Sequence, residues 1–445
     1  MEGERPCSLS GRDKSSFAYV TIKDRMPEIL TKVIDVMSRL ASKHHNENEE
    51  EKAIECKEIV NKLSKLRNEM MTDKVIRPIE DKYCDDAVWN GIINNLKSLE
   101  DGKSDPTWFN TPWLIIECYL YRRIFEALRM SKFHKDFDPF AEQKEKAFHS
   151  SKIPMATLAH YVIQFTKSQP DSVEEAIKDR EQLRLDFEML FEYCLWGNKC
   201  DLSLSAGTQV THQLQESSQL KNLLAHILCN ETEKVWEQIL VAEARAHGHA
   251  RLDFVLDNAG FELYTDLCLA EFLLDKKLFD TVHFHVKDIP WFVSDTSKKD
   301  FLWTIEQCKK SDDSVIAELG LRWSNRINEG TFVIREHPYW TYSLDFAAME
   351  QISPDLYQDL SKSQLIIFKG DLNYRKLIGD RSWDYTAPFS RALWGFRPGP
   401  VCALRTLKAD LVVGLSPGKS EETEAKDKNW MVGGQYAVIQ YCDKV

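Results

Sequence analysis

At about Leu223 the hydrophobic pattern of this 445-residue chain changes period, and that change limits the folds open to it. Upstream, apolar residues recur at three- and four-residue spacing, as in helices that bury one face. Ile29, Leu30, Val33, Ile34, Val36, Met37 and Leu40 form one such stripe, and Ile54 to Met70 contains a second. Between them HHNENEEEK, residues 44 to 52, reads as a solvated turn. Trp113 to Leu128 is apolar on most sides, which predicts a buried helix. Its Glu117, Arg122 and Arg123 either reach a site or, more simply, pair within the core.

Downstream, short β-rich runs alternate with helical stretches. The strand candidates are Arg251 to Leu256, Thr281 to Val286, Thr331 to Ile334, Gln364 to Phe368, Val401 to Leu404 and Leu411 to Leu415. Helices are expected over Thr265 to Asp275, over Lys299 to Lys309 and around Arg375 to Leu377. Such alternation predicts a mixed, mostly parallel sheet with helices on both faces. The expected organisation is a flexible N-terminus at 1–16, a mainly helical subdomain at 17–220 and an α/β domain at 221–445. Ser416 to Lys428, rich in Ser, Glu and Lys, reads as a mobile loop.

Composition excludes several function classes. A net charge of −12 disfavours a general binder of nucleic acid or anionic membrane, which rewards clustered Lys and Arg. Eleven scattered cysteines without CxxC pairs suggest neither a disulfide framework nor a zinc finger, and point to a reducing compartment, cytosol or nucleus. No apolar run reaches the roughly 18 residues expected of a membrane span, so a soluble protein is expected.

In sheets of this kind ligands bind beyond the carboxyl ends of the strands. The run LDFVL ends at Asp257 and Asn258, followed by Ala259-Gly260 and a helix start. After the next strand, KDIPWFVSD ends in Ser294 and Asp295. After Ile366 to Phe368 comes KGDLNYRKL, which holds Lys369, Gly370, Asp371, Leu372, Asn373, Tyr374, Arg375 and Lys376. After Leu404 come Arg405, Thr406 and Lys408. Carboxylate and amide oxygens can hold a divalent metal, while Lys, Arg and loop N–H groups can hold a phosphate. A metal beside a phosphate cradle is the equipment for phosphoryl transfer to water. No P-loop GxxxxGK[ST] and no strand-linked GxGxxG occurs, and Gly433-Gly434 reads as a hairpin-like turn. His247, His249, His283 and His285 cluster in sequence, but His283 and His285 alternate within a strand candidate and read as strand-face residues.

Taken together these segments resemble the domain-of-unknown-function 89 family of metal-dependent damage-control phosphatases, in its third subfamily, described in animals also as acidic residue methyltransferases. The resemblance runs from WLIIECYLYRRIF and LWGNKCDLSL to the C-terminal sheet, and rests most on LDNAGFELYTDL, the SD at 294–295, KGDLNYRKL and the Arg-Thr-x-Lys at 405–408. It implies a three-layer α/β/α domain with an N-terminal helical subdomain. It also implies Asp257, Asn258 and Asp295 as catalytic metal ligands, with Mn, Co or Ni preferred; Mg fits on donor hardness alone. Asp257, Asn258, Asp371 to Arg375 and Lys408 correspond to sugar-phosphate contacts.

The expected activity is hydrolysis of phosphorylated metabolites, fructose 1-phosphate and fructose 6-phosphate among them. Water or the Asp257 carboxylate is the nucleophile, and the sequence leaves both open. A second reading, also from the resemblance, is methylation of protein carboxyl groups by S-adenosylmethionine, with Glu262 and Asp295 matched to the methyl donor and a protein as acceptor. Asp257-Asn258-Ala259-Gly260 is not the glycine-rich loop of the common methyltransferase fold. A third reading is a non-catalytic interaction module, against which the intact acidic and basic set argues.

Overall fold

Met26–Asn46 and Glu50–Met71 are the two amphipathic helices that the spacing predicts, and they form an antiparallel hairpin. Asn48, at φ +60°, makes the turn between them, a conformation that Asn tolerates better than most residues. Leu30, Val33 and Met37 on the first helix and Cys56, Ile59 and Leu63 on the second are buried. Trp113–Arg129 is covered on nearly every side, and its charged residues are neutralised inside. Arg122 forks onto Asp81 and Asp85, Arg123 pairs with Glu126, and Glu117 accepts from Arg375. The computed structural model describes residues 4–99, 105–165, 173–197, 223–245 and 249–443. The expected boundary near residue 220, most of LWGNKCDLSL and His247 lie outside the described residues. Among the described residues no helix is long and apolar enough to cross a membrane.

The second half builds one seven-stranded sheet: β1 (Ile227–Asn230), β2 (Arg251–Val255), β3 (Thr281–Val286), β4 (Phe332–Glu336), β5 (Leu365–Lys369), β6 (Val401–Thr406) and β7 (Ala437–Cys442), in the order β1-β7-β6-β5-β2-β3-β4. β2 to β6 run parallel, while β7 is antiparallel to β6 and carries β1 with it. Strand side chains alternate between two cores. Val255, Ile366, Phe368, Val401 and Ala403 pack with the N-terminal helices. Phe254, Leu365, Ile367, Cys402 and Leu404 pack with helices that include Phe261–Asp275 and Ser314–Glu329. The fold is therefore a three-layer α/β/α sandwich whose sheet has helices on both faces, as the alternation predicts, with N-terminal helices on each: the hairpin and Trp113–Arg129 on one, Lys152–Phe165 and the end of Val173–Trp196 on the other.

Several expectations are revised. Leu411 to Leu415 is buried but is not a strand, because side chains rather than a neighbouring strand satisfy part of its backbone. Arg405 donates to the Leu411 carbonyl at 2.5 Å, Gln440 Nε2 to the Val413 carbonyl at 2.6 Å, and the Val413 N–H to the Tyr374 hydroxyl at 3.2 Å. Within Ser416 to Lys428 lies a helix, Lys419–Lys426, with Glu421 and Glu422 in its first turn and a Lys426–Glu422 pair. The N-terminal segment, expected to be flexible, is pinned: Arg5 pairs with Asp345 at 2.7 Å and the Leu9 N–H bonds to the Asp380 carbonyl. β1 and β7 have no counterpart in the sequence reading. β1 is only four residues long, and β7 follows the glycine pair at 433–434 that reads as a turn.

Candidate functional site

The chain leaves β2 toward β3 and β4 on one side and later adds β5 on the other, so the gap between β2 and β5 is where strand order reverses. Ligand crevices open at such points, outside the carboxyl ends of the strands. Val255 pairs with Phe368 across this gap, and the same register places Leu256 and Asp257 opposite Lys369 and Gly370. Gly370, at φ +83°, lies directly against Asp257: a Cβ there would sit 2.0 Å from Asp257 Oδ2. The missing side chain is what lets the carboxylate occupy its position.

A second contact fixes Asp295 beside the same pair. The turn after β3 passes through Phe292 and Val293 at φ +43° and +70°, the latter strained for a β-branched residue. It then returns so that Asn258 and Asp295 form an isolated antiparallel bridge. The Ala259 N–H donates to the Ser294 carbonyl at 2.8 Å and the Thr296 N–H to the Asp257 carbonyl at 2.7 Å. Thirty-eight residues of sequence separation are thus closed by backbone bonds, with side chains adding to them. Asn258 Nδ2 donates to Asp257 Oδ2 at 2.7 Å and to Glu262 Oε2 at 2.8 Å, while its Oδ1 accepts from Ser294 Oγ at 2.5 Å.

Asp257, Glu262 and Asp295 are all buried, at 8, 6 and 2% exposure. Burial, then Glu262 and Asp295, drive the Asp257 carboxyl well above its ordinary range, against the pull of Lys287 and Lys408. Burial likewise raises Asp295 to about 6, with Lys287 and Lys144 opposing. Asp295 Oδ2 receives no hydrogen bond, and Lys287 Nζ approaches it only as an ion pair at 3.4 Å while donating to the Leu256 carbonyl at 2.9 Å. Buried carboxylates that repel one another, one with an orphaned oxygen, fit a hard divalent cation among oxygen donors.

The basic wall is less uniform than the sequence suggests. Lys408 is half-buried, its stem lies along Gly434, and among the described residues its ammonium forms no ion pair. Asp371 accepts from Arg405 Nε at 2.8 Å and from the Lys408 N–H at 3.1 Å. The helix Gly370–Ile378 starts here without a side-chain cap, so its first N–H groups face the crevice. Leu372 is buried, and Asn373 Nδ2 donates to the carbonyls of Val255, Leu256 and Lys369, joining the ends of β2 and β5. Tyr374 bonds Gln440 and lies under the Arg405 guanidinium. Arg375 is not brought to the crevice: it is buried between Glu117 and Asp380, 3.7 Å over the Trp113 ring.

Lys287, Lys144 and the Lys369–Asp266 pair escaped the sequence reading. Lys287 had a signal, a charged residue immediately after the apolar run VHFHV. Lys144 did not, since it arrives from a helix 151 residues before Asp295 and binds Asp138 and Asp300, both at 2.6 Å. Lys369 pairs with Asp266 at 2.7 Å and approaches Glu262 at 3.5 Å. His285, as expected of a strand-face residue, is buried against Asp253 at 2.7 Å.

An α/β/α protein with buried acidic oxygens and an uncommitted lysine at the reversal point of its sheet is a protein equipped to hold a cation beside an anionic ligand. The sequence model of the damage-control phosphatase ARMT1-like domain matches residues 21–423. The chain is 45% identical over 441 residues to damage-control phosphatase ARMT1 of Homo sapiens and 44% over 442 residues to that of Bos taurus, with 98% of each chain covered. Identity to the Danio rerio protein of the same name is 42% over 439 residues, covering 98% of this chain and 97% of the relative. The chain belongs to the damage-control phosphatase ARMT1-like family.

Proposed function

We propose that the protein is a metal-dependent phosphatase that hydrolyses small phosphorylated metabolites, sugar phosphates such as fructose 1-phosphate and fructose 6-phosphate among them. The observation that carries this reading is the Asn258–Asp295 bridge, which brings the buried Asp257 and Asp295 carboxylates within electrostatic reach of each other, with Asp257 also within reach of Lys408. The name its relatives carry, damage-control phosphatase ARMT1, supports the same reaction class.

In this reading Asp257, Asn258 and Asp295 hold a divalent ion (Mn, Co, Ni or Mg), which when bound supplies Lewis acidity toward a phosphate oxygen. Lys408 neutralises charge on the phosphoryl group as it transfers, helped by the N–H groups that open the Gly370–Ile378 helix. Arg405 and the Lys408 N–H both hold Asp371 Oδ1, which leaves Oδ2 to meet sugar hydroxyls. Asn373, Tyr374 and Arg375 act as positioning residues, because their polar atoms are bonded within the protein. Ser294 fixes the Asn258 amide by donating to its oxygen. The Glu262 carboxylate is committed to Asn258 and Lys369, so no contact favours the methyl-donor role over hydrolysis. The buried free thiols suit a reducing compartment, cytosol or nucleus.

The test is phosphate release from fructose 1-phosphate by metal-loaded protein. Asp257→Ala and Asp295→Ala are each expected to abolish turnover with the fold retained. Full activity in either variant, or methyl transfer from labelled S-adenosylmethionine without phosphate release, would overturn the proposal.

A further inference from the structure

HHNENEEEK, read from sequence as a solvated turn, carries a histidine that points inward. Among the described residues, two groups of three His, Cys, Asp or Glu side chains bring their donor atoms within 4.8 Å of one another, and both contain His44. The buried group is His44, Cys56 and His134, from the end of the first helix of the hairpin, the start of the second and the segment after Trp113–Arg129. His44 Nε2 faces His134 Nε2 at 3.3 Å, and Cys56 Sγ lies 3.4 Å from His134 Nε2. The other nitrogen of each ring meets a carboxylate: His44 Nδ1 lies 2.5 Å from Glu49 Oε2, and His134 Nδ1 lies 2.7 Å from Glu55 Oε2. Glu55 is itself held by the N–H groups of Lys132 and Phe133.

An ionised carboxylate only accepts, so each Nδ1 carries a hydrogen, and it is the neutral form of each ring, the one a metal takes, that turns a bare Nε2 lone pair inward. Two lone pairs and a sulfur then converge on one point with a single thiol proton to share. Histidine backed by a carboxylate on its far nitrogen is the arrangement that orients and strengthens imidazole ligands. Two of the three edges match tetrahedral zinc, for which Zn–N of about 2.0–2.1 Å and Zn–S of about 2.3 Å imply N···N edges of about 3.3 Å and N···S edges of about 3.5 Å, and the third, His44 to Cys56, lies within 4.8 Å.

We propose that His44, Cys56 and His134 form a second metal site, separate from the strand-end crevice, that binds Zn2+ through two imidazoles and one thiolate and clamps the helical hairpin to the segment that follows Trp113–Arg129. Binding forms two Zn–N bonds and one Zn–S bond, breaks the Cys56 S–H bond and releases that proton to solvent. The fourth position is taken by water on the side where His44 keeps 12% of its side chain exposed. The donor set itself selects zinc over the hard ions of an all-oxygen site, since thiolate and imidazole suit zinc.

The experiment uses the full chain carrying Asp257→Asn and Asp295→Asn, stripped with chelator, so that the strand-end carboxylates do not compete for metal. Zinc is titrated against a chromophoric chelator, and metal content is measured after gel filtration. One zinc per chain is expected, with affinity lowered at least about 100-fold by Cys56→Ser or His134→Gln and about 10–100-fold by Glu55→Gln. Co2+ in place of zinc is expected to give intense tetrahedral visible bands and a thiolate-to-cobalt charge-transfer band, the latter lost in Cys56→Ser. No retained zinc, or equal zinc in the parent and in Cys56→Ser with circular dichroism unchanged, overturns the site. If the ligand variants do not fold, the cobalt spectrum of the parent decides, and absence of the charge-transfer band overturns it.

Discussion

Replacing Gly370 by alanine tests the position of Asp257 without touching any ionisable group. The new Cβ would lie 2.0 Å from Asp257 Oδ2, 2.1 Å from its Cγ and 2.7 Å from its Cβ, at a residue whose φ is +83°. Two costs add. A left-handed alanine costs about 1–2 kcal/mol, and the overlap, resolved only if the carboxylate moves, costs about 1–3 kcal/mol as overpacking does. Gly330 separates them: its φ is +76° and an added Cβ meets nothing within 4 Å, so Gly330→Ala bears the strain without the overlap. Urea denaturation is expected to show a loss of about 1–2 kcal/mol for Gly330→Ala and about 2–5 kcal/mol for Gly370→Ala. Because a 1 Å misplacement of a reacting group costs about 100-fold, turnover of fructose 1-phosphate is expected to fall by at least about that factor in Gly370→Ala. In Gly330→Ala it is expected to hold. Turnover in Gly370→Ala within about three-fold of that of Gly330→Ala would refute the idea that the reaction depends on Asp257 where it stands.

Three other outcomes follow from the same geometry. Lys408→Met is expected to lower kcat by about 100–1,000-fold, as loss of one charge-stabilising donor does, with stability changed by no more than about 0.5 kcal/mol because, among the described residues, its ammonium has no ion pair. In chelated protein Asp295→Asn is expected to stabilise. Asp295 is raised to about 6 when folded, so the folded state holds the proton longer, and wild-type stability falls as pH rises from about 4 to about 6. Above that window the carboxylate costs up to about 3 kcal/mol, at about 1.4 kcal/mol per pH unit. The weakened Lys287 pair offsets part of this, leaving a net gain of about 1–3 kcal/mol at pH 7.5; a loss there would make Asp295 a structural ion-pair partner instead. Arg375→Met, which strands Glu117 and Asp380 in the interior, is expected to cost about 3–5 kcal/mol by chemical denaturation.

What could be read before folding, and what could not, divides along physical lines. Periodicity gave the helical hairpin and β2 to β6 because each buries apolar residues at a regular spacing. It failed for Leu411 to Leu415, part of whose backbone is satisfied by the side chains of Arg405, Gln440 and Tyr374 instead of a neighbouring strand, and for β1, too short to show a period. The strand-end rule singled out Asp257 and Asn258, which directly follow the β2 run, and Asp295, nine residues past the end of β3, positions that the Asn258–Asp295 bridge brings together. It misjudged Arg375, five residues past Gly370 and therefore carried round the helix to the opposite side, where Glu117 waits on a helix 258 residues away in sequence. His44 was misread for a related reason: the acidic run after it looks solvated, and only the fold shows that Cys56 and His134 meet it.

The most direct test of the account is phosphate release from fructose 1-phosphate by chelator-stripped protein, before and after adding back Mn2+, Co2+ or Ni2+, in wild type and in Asp257→Asn. No turnover in stripped wild type, recovery on adding metal and no recovery in the variant is the expected pattern. Undiminished turnover in stripped protein, or metal-restored turnover in Asp257→Asn, would contradict it.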